Sequence, residues 1–544
     1  MENIQRFAKN DTAFSIALAM AFLAMHFPFG LRYFTYMDDL AQYGIFYLLL
    51  DNPLGIFTHW QLYTDRPLAS VVDVFLIAPL WHHLWIALFL MVALHYATVL
   101  LMNSTLRQSG LPHGKIFILV CSVYPFLAEG RYWLSASSRI VTSLFLLTLG
   151  VFLLVRALQQ PTQTRKVATI AGGFFLTFLA QFFYEQTISF AFVYTLILLW
   201  FNRQHLKSKW DKLLYGIPAF HLFFVGAYYF AFRNYGTLGV RAGFFEGPLF
   251  AQIALVLRRI RLQFVPEQVF GVRNALSYGI ADFAQNYALL TLFVAILCGL
   301  FVLFCVYSKQ SEEERSPSPL IGAGLSVTLF FAAFAPFFLL EDSFLFMRSL
   351  FLPVIGIALF CQVIWTVLAR FRLWAYLAIL PLFGLLFLSM MLNILQVESY
   401  KYLEQDSNHI TQGVIDELDR LNVDLDNLDN TGIIWLLGVR WIYEHEAISP
   451  HMHNLTLFDW SLSTNLQAMT GRRLLHDRGI FLRPILPGWE YNIDLHPEDI
   501  LLGIDDTFRV RELRLENDRV YFADTSEWFG YLTTGAPGSF VRWR

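Results

Sequence analysis

Two carboxylates stand side by side just after the first apolar run, in Tyr36-Met37-Asp38-Asp39. Adjacent acids at a membrane boundary are costly to desolvate, so the pair must gain something from a ligand, a metal or water. One chemistry open to it is proton abstraction from a hydroxyl, the work of a general base. The plainer alternative is a helix cap, since Asp38 opens an apolar helical stretch and Asp is a preferred N-cap. A cap accounts for one acid of the two. Four arginines form a second group: Arg66 in Thr64-Asp65-Arg66-Pro67, Arg131 and Arg139 in the stretch from Glu129 to Arg139, and Arg348 in Phe346-Met347-Arg348-Ser349. A guanidinium stays charged and forks onto phosphate oxygens, so arginine suits a phosphate at a membrane surface. Anchoring or an ion pair is the competing role for each arginine alone; their shared face makes the case for a ligand. Glu185, in Phe183-Tyr184-Glu185-Gln186-Thr187, sits in a turn too short to hide it. It therefore faces an outer cavity or pairs with an arginine. His59, His82, His83 and His95 fall nearby and read as hydrogen-bonded interface residues.

What must position these groups is a membrane scaffold. Of 544 residues 56% are hydrophobic and only 15% charged, where soluble domains carry roughly a quarter charged. The apolar residues come in runs near the ~20 residues that span a bilayer core. Eleven such runs are expected to cross: 12–31, 84–104, 116–130, 139–158, 167–184, 187–202, 213–232, 287–307, 319–340, 350–369 and 374–395. The first is too long for a signal-peptide core and reads as a retained span. Pro67–Trp81, broken by Asp73 and Pro79, is shorter. If it does not cross, Lys9, Lys115, Lys166, Lys207, Lys209, Lys212 and Lys309 all share one side. The positive-inside rule then makes the N-terminus cytoplasmic, Pro67–Trp81 a juxtamembrane helix and the C-terminal tail external.

Three outer segments follow from this topology. The first, Tyr33 to His83, holds amphipathic helices near Asp38–Leu50 and Pro67–Trp81. The second, Arg233 to about Phe283, has six arginines and no lysine, with an amphipathic stretch Phe250–Phe264. The third is the tail. The chain thus divides into a transmembrane domain, 1–395, and an extracytoplasmic mixed α/β domain, 396–544. The tail opens with a helical pattern (Leu403, Ile410, Val414, Leu418, Leu421), followed by strand-like runs such as Ile433–Leu437 and Arg519–Phe522 and turn signals at Pro487-Gly488 and Pro537-Gly538. It carries no phosphate-cradling glycine loop, nucleophile elbow or metal motif. The four cysteines, Cys121, Cys298, Cys305 and Cys361, lie in or beside apolar runs and offer neither a zinc site nor a disulfide framework. A net charge of −3 gives no reason to expect a nucleic-acid partner.

With these residues laid out, the chain resembles the GT-C superfamily of membrane glycosyltransferases. It is most similar to the bacterial enzymes that use polyprenyl-phosphate sugars, including the O-antigen-modifying glucosyltransferases. A more distant likeness extends to the protein O-mannosyltransferases and the lipid A aminoarabinose transferase. The likeness is carried, in order over roughly residues 12–395, by Asp38-Asp39, Arg66-Pro67-Leu68, Trp133-Leu134-Ser135-Ala136, Glu185, and Arg348 followed by Leu352-Pro353-Val354-Ile355-Gly356. The resemblance implies that Asp38, with Asp39 beside it, acts as base or helps hold a divalent cation such as Mg or Mn. It implies that Arg348 binds the carrier phosphate, and that transfer is an inverting single displacement. Arg66, Arg131, Arg139 and Glu185 join Arg348 as candidate substrate-binding residues. The expected donor is a polyprenyl-phosphate sugar, and the acceptor a hydroxyl of a cell-envelope glycan, lipid or protein. The expected location is a bacterial inner membrane with the tail in the periplasm. Two departures stand out: Leu40 follows the acidic pair where the family has another polar residue, and the tail offers no nameable domain to identify the acceptor.

Two other functions compete. A flippase or transporter of a lipid-linked glycan would carry broken helices and charges near mid-bilayer. Within the expected spans the main ionisable residues are His95 and His221, and the polar groups gather at the outer edge instead. A non-catalytic scaffold displaying the tail would need no aligned arginines.

Overall fold

The computed structural model describes residues 10–35, 38–59, 62–63, 66–125, 127–160, 163–206, 213–232, 247–307, 318–338, 347–423, 433–438, 459–471, 482–485, 499–517, 519–532 and 541–543. The protein is mostly helical, with a small C-terminal sheet. It divides into two compact units. The first comprises Met1–Tyr33, Leu54–Leu76 and His82–Val397, and the second Phe34–Pro53, Ile77–Trp81 and Glu398–Arg544.

The main helices of the first unit are α1 (Asp11–His26), α2 (Leu84–Gln108), α3 (Lys115–Val123), α4 (Leu134–Leu158), α5 (Gln163–Ala180), α6 (Gln186–Phe201), α7 (Gly216–Phe232), α8 (Ala288–Tyr307), α9 (Pro319–Ala332) and α10 (Pro353–Leu368). Helix α11 (Ile379–Arg420) begins in this unit and continues into the second. Among the described residues, four helical runs are long and apolar enough to cross a membrane: Pro67–Gln108, α4, α8 and α11. Helices α1, α6, α7, α9 and α10 are apolar but shorter. A 16-residue helix such as α1 is about 24 Å long, short of a ~30 Å hydrocarbon core. The count of long spans is therefore lower than the eleven expected from hydropathy. The run 116–130 shows why: its helix ends at Val123, and a separate turn, Ala128–Arg131, follows. Hydropathy sums over a break that the backbone makes at Tyr124-Pro125. Pro67–Trp81 is not a separate rod, since the chain stays helical from Pro67 into α2, tightening over Ala78–His83.

Side-chain contacts sort the helix ends of this unit into two groups. At one end Lys115 Nζ lies 3.6 Å from Asp11 Oδ1, Asn202 Nδ2 donates to Ser109 Oγ at 2.8 Å, and the Gly114 amide donates to Asn103 Oδ1 at 2.8 Å. At the other, the Leu134 amide donates to the Tyr33 hydroxyl at 2.9 Å, and the Tyr33 and Tyr132 rings stack at 5.1 Å. Small residues bring α4 and α5 together, because a Cβ on Gly150 would lie 2.9 Å from the Gly173 carbonyl oxygen. Such close approach gains dispersion contact where no water is present to drive association.

The second unit is built on a sheet of seven strands in the order β2-β1-β3-β4-β5-β6-β7. These are β1 (Ile434–Leu437), β2 (Leu482–Ile485), β3 (Ile500–Ile504), β4 (Val510–Glu516), β5 (Arg519–Phe522), β6 (Trp528–Leu532) and β7 (Val541–Trp543). β1 is parallel to both β2 and β3, and the remaining pairs are antiparallel. Alternation along β1 splits its side chains between two cores. Ile434 and Leu436 pack with Ile410, Val414 and Leu418 of α11 and with Leu462 and Leu466 of α12 (Asp459–Thr470). Ile433, Trp435 and Leu437 pack on the opposite face with Leu513, Val520 and Phe522. Asp499 pins the start of β1, accepting from the Ile433 amide at 2.6 Å and from Trp435 Nε1 at 3.0 Å. Gly438 ends that strand at φ +72°, where a Cβ would meet Phe529 Cζ at 2.9 Å. Pro487-Gly488 and Pro537-Gly538 lie outside the described residues.

Gly150→Val tests the α4–α5 contact. Overpacking against backbone is expected to cost about 1–3 kcal/mol and to lower the unfolding temperature in detergent. Gly226→Ala, with nothing within 4 Å of the new methyl, should leave that temperature unchanged or slightly raised.

Candidate functional site

Three arginines of the first unit each meet a carboxylate from a distant part of the chain. Arg66 precedes a helix whose first residue is Pro67, a start that fixes the backbone just beyond the guanidinium. Its Nε donates to Glu185 Oε2 at 2.7 Å and its Nη2 to Oε1 at 2.5 Å, and it lies over the Tyr184 ring at 5.2 Å. Glu185 itself stands at the N-terminus of α6, where a helix dipole favours negative charge. Arg348 occupies a tight turn, Met347–Leu350, just before α10 opens on Pro353. Its Nη1 and its backbone amide donate to the two oxygens of Glu129, each at 3.2 Å, and its guanidinium lies 5.0 Å from the Trp133 ring. Arg139 Nη2 donates to Asp73 Oδ2 at 3.3 Å, while Ser138 Oγ donates to Asp73 Oδ1 at 3.0 Å.

Arg131 differs from these. It is 2% exposed and meets no carboxylate among the described residues. It donates instead to the Ser122 and Tyr124 carbonyls and to Asn393 Oδ1 of α11. Asn393 in turn donates to the Val123 carbonyl at 3.0 Å. The break after α3 leaves these carbonyls unused by the helix, and Arg131 takes them up. Its Nε has no partner among the described residues. Burial lowers its pKa to about 9, so it stays charged at neutral pH.

The electrostatics show that the pairs share one neighbourhood. Burial by itself would raise the Glu185 pKa, but Arg66, the turn's own amide and Arg139 overcome it and hold the carboxyl at about 2. Arg66 lies over the Tyr184 ring, and Glu185, Arg348 and Glu129 are all near enough to act on its hydroxyl. Arg66, Arg348, Glu129 and Glu185 therefore lie near Tyr184, and Arg139 lies near enough to act on Glu185.

Asp38 and Asp39 belong to the second unit. Both are helical, and they lead into a wide helical turn, Leu40–Gly44. Asp39 makes no capping bond and is fully buried, whereas Asp38 is partly exposed. The flanking Tyr36, Met37, Thr64, Asp65 and Phe346 lie outside the described residues. So do most of the loop lysines, and Arg233 and Arg241 of the second outer segment. Among the described residues no group of three or more His, Cys, Asp or Glu could hold a metal ion. The acidic pair thus supplies two carboxylates, one of them buried. That donor set fits a cation poorly without oxygens from a ligand.

Glu129, Asp73 and Asn393 are the partners that sequence reasoning left out of the site. Asp73 carried the clearest signal, because an acid inside an apolar run needs a partner, and an arginine at an expected span end could supply it. No protein-family model, curated protein or solved structure matches the chain.

Acid titration tests the Glu185 pairing. An unfolded Glu titrates near ~4.3, and the folded carboxyl at about 2. Its contribution is full above ~4.3 and is lost as pH falls toward 2. Thermal unfolding in detergent from pH 6 to pH 3 should show Glu185→Gln losing less stability than wild type. The difference should stay below ~1 kcal/mol, because 37% of the Glu185 side chain meets solvent.

Proposed function

We propose that this protein is a membrane glycosyltransferase that moves a sugar from a polyprenyl-phosphate carrier to a hydroxyl acceptor. Support comes chiefly from one observation: Arg66 and Arg348, from separate stretches of sequence, each hold a carboxylate, Glu185 and Glu129, and both pairs lie near Tyr184. Guanidinium groups of this kind suit a carrier phosphate. A transporter would instead be expected to concentrate charge along its spans.

In the reaction, Asp38 takes the proton of the acceptor hydroxyl as that oxygen bonds to the anomeric carbon. The bond from this carbon to the carrier phosphate breaks with its electron pair, and the configuration inverts. Protonating the departing phosphate matters little. Stabilising its charge matters more, and Arg348 and Arg66 supply that stabilisation from a preorganised position where water is scarce. A divalent cation, if recruited, would be held by Asp38 and Asp39 and would supply further stabilisation of the phosphate's charge; no step above depends on it. The likeness to the GT-C superfamily, eleven crossings, a cytoplasmic N-terminus, an external tail and a bacterial inner-membrane location belong to the same proposal. A cell-envelope glycan, lipid or protein is the acceptor class.

Transfer from radiolabelled polyprenyl-phosphate sugars to envelope acceptors is the direct assay. Asp38→Asn should lower kcat by about 10²–10⁴-fold, the usual worth of a general base, with donor binding retained. Full transfer by this variant would remove the assigned base. Arg348→Ala should weaken donor binding about 10- to 100-fold, as loss of a charge-assisted hydrogen bond worth ~1.5–3 kcal/mol entails. The backbone amide bond to Glu129 survives that truncation, so the turn should still form. Orientation is read by thiol labelling of Lys115→Cys and of a cysteine in the tail, which should report opposite faces of sealed vesicles.

A further inference from the structure

We infer that the C-terminal domain is a positioning element for the proposed base: it clamps the turn that carries Asp38 and Asp39, burying Asp39 and leaving Asp38 within reach. This rests on the transferase proposal. The acid-bearing segment Phe34–Pro53 and the short segment Ile77–Trp81 form one compact unit with Glu398–Arg544. They do not group with the apolar helices that precede and follow them in sequence.

Two contacts fix the segment. The Thr35 amide and hydroxyl both donate to Glu404 Oε1 of α11, each at 3.0 Å. Nine residues on, Gly44 is held in a narrow space. A Cβ there would lie 3.3 Å from Trp81 Cη2 and 3.6 Å from Ala468 Cβ of α12. Helix α12 therefore has two working faces. Leu462 and Leu466 pack into the sheet core, whereas Ala468 meets the Leu40–Gly44 turn. Between these contacts, Asp39, Leu40 and Tyr43 are 0%, 4% and 0% exposed. A fully buried carboxylate next to a reachable one gives the two acids different work. Asp39 holds the turn in the packing, and Asp38 is left for chemistry.

Disulfide trapping in the full chain tests the clamp. A Cβ separation of 3.6 Å between positions 44 and 468 falls within the range a disulfide spans. The native cysteines Cys121, Cys298, Cys305 and Cys361 all belong to the other unit. Gly44→Cys with Ala468→Cys should form an intramolecular cross-link without added substrate, seen by mass spectrometry of the linked peptides. The cross-linked protein should transfer at the rate of its dithiothreitol-reduced form. Failure to cross-link overturns the clamp, and so does a cross-link that stops transfer until reduced. Kinetics give a second measurement. Thr35→Val should lower kcat about tenfold, the scale expected of a slightly misplaced group, with the donor KM unchanged and Thr35→Ser restoring the rate. An unchanged kcat in Thr35→Val would overturn the positioning role. Full transfer by Asp38→Asn alongside an intact cross-link would instead sink the assigned base and leave the packing standing.

Discussion

A guanidinium close to apolar surroundings cannot be left without oxygens around it. Removing such a charge from water is so costly that the chain must bring a carboxylate, carbonyl or amide oxygen to it. That requirement organises the first unit. Arg66 draws Glu185 from 119 residues away, Arg348 draws Glu129 from 219, and Arg139 draws Asp73 from 66. The Arg348 contact ties two short turns together, the Arg139 contact joins two helical runs, and the Arg66 contact ties a helix start to the N-terminus of α6. Dispersion alone would let helices of this composition slide in register, since Leu against Leu is much like Leu against lipid. The paired charges, with the close Gly150–Gly173 approach, specify which ends meet.

The coarse plan was legible because its signals are local. Apolar runs marked the helices, since each residue's hydropathy is read independently of its partners. The short apolar run Ile433–Leu437 marked a strand whose two faces enter two cores. Lengths were harder. The 116–130 run looks continuous by hydropathy, yet the backbone leaves the helix at Tyr124, and the carbonyls freed there become the ligands of Arg131. Helix length depends on such breaks, and composition does not record them.

Partners were the least legible feature, because they are long-range. Asp73 and Glu129 were visible as acids in unusual places, but nothing local said which arginine each would meet. The alternative open for Glu185, between facing a cavity and pairing with an arginine, closes on Arg66. The grouping of Phe34–Pro53 with the tail was beyond sequence reading altogether, since it rests on a glycine, a tryptophan and an alanine that meet only in three dimensions. A cut of the sequence into consecutive domains assigns the acidic pair to the membrane part by adjacency; packing assigns it to the other unit.

Neutralised arginines look unsuited to a phosphate, yet pairing is what holds them in place. Arg66, Arg139 and Arg348 each meet one carboxylate, of Glu185, Asp73 and Glu129. Arg131 is held instead by the Ser122 and Tyr124 carbonyls and by Asn393. A sugar phosphodiester carries a single negative charge. Under the transferase proposal, Arg66 and Arg348 would supply it with directional hydrogen bonds shared with their acids. Preorganised pairs also cost little to rearrange, because each guanidinium is already held in place by its carboxylate when the phosphate arrives.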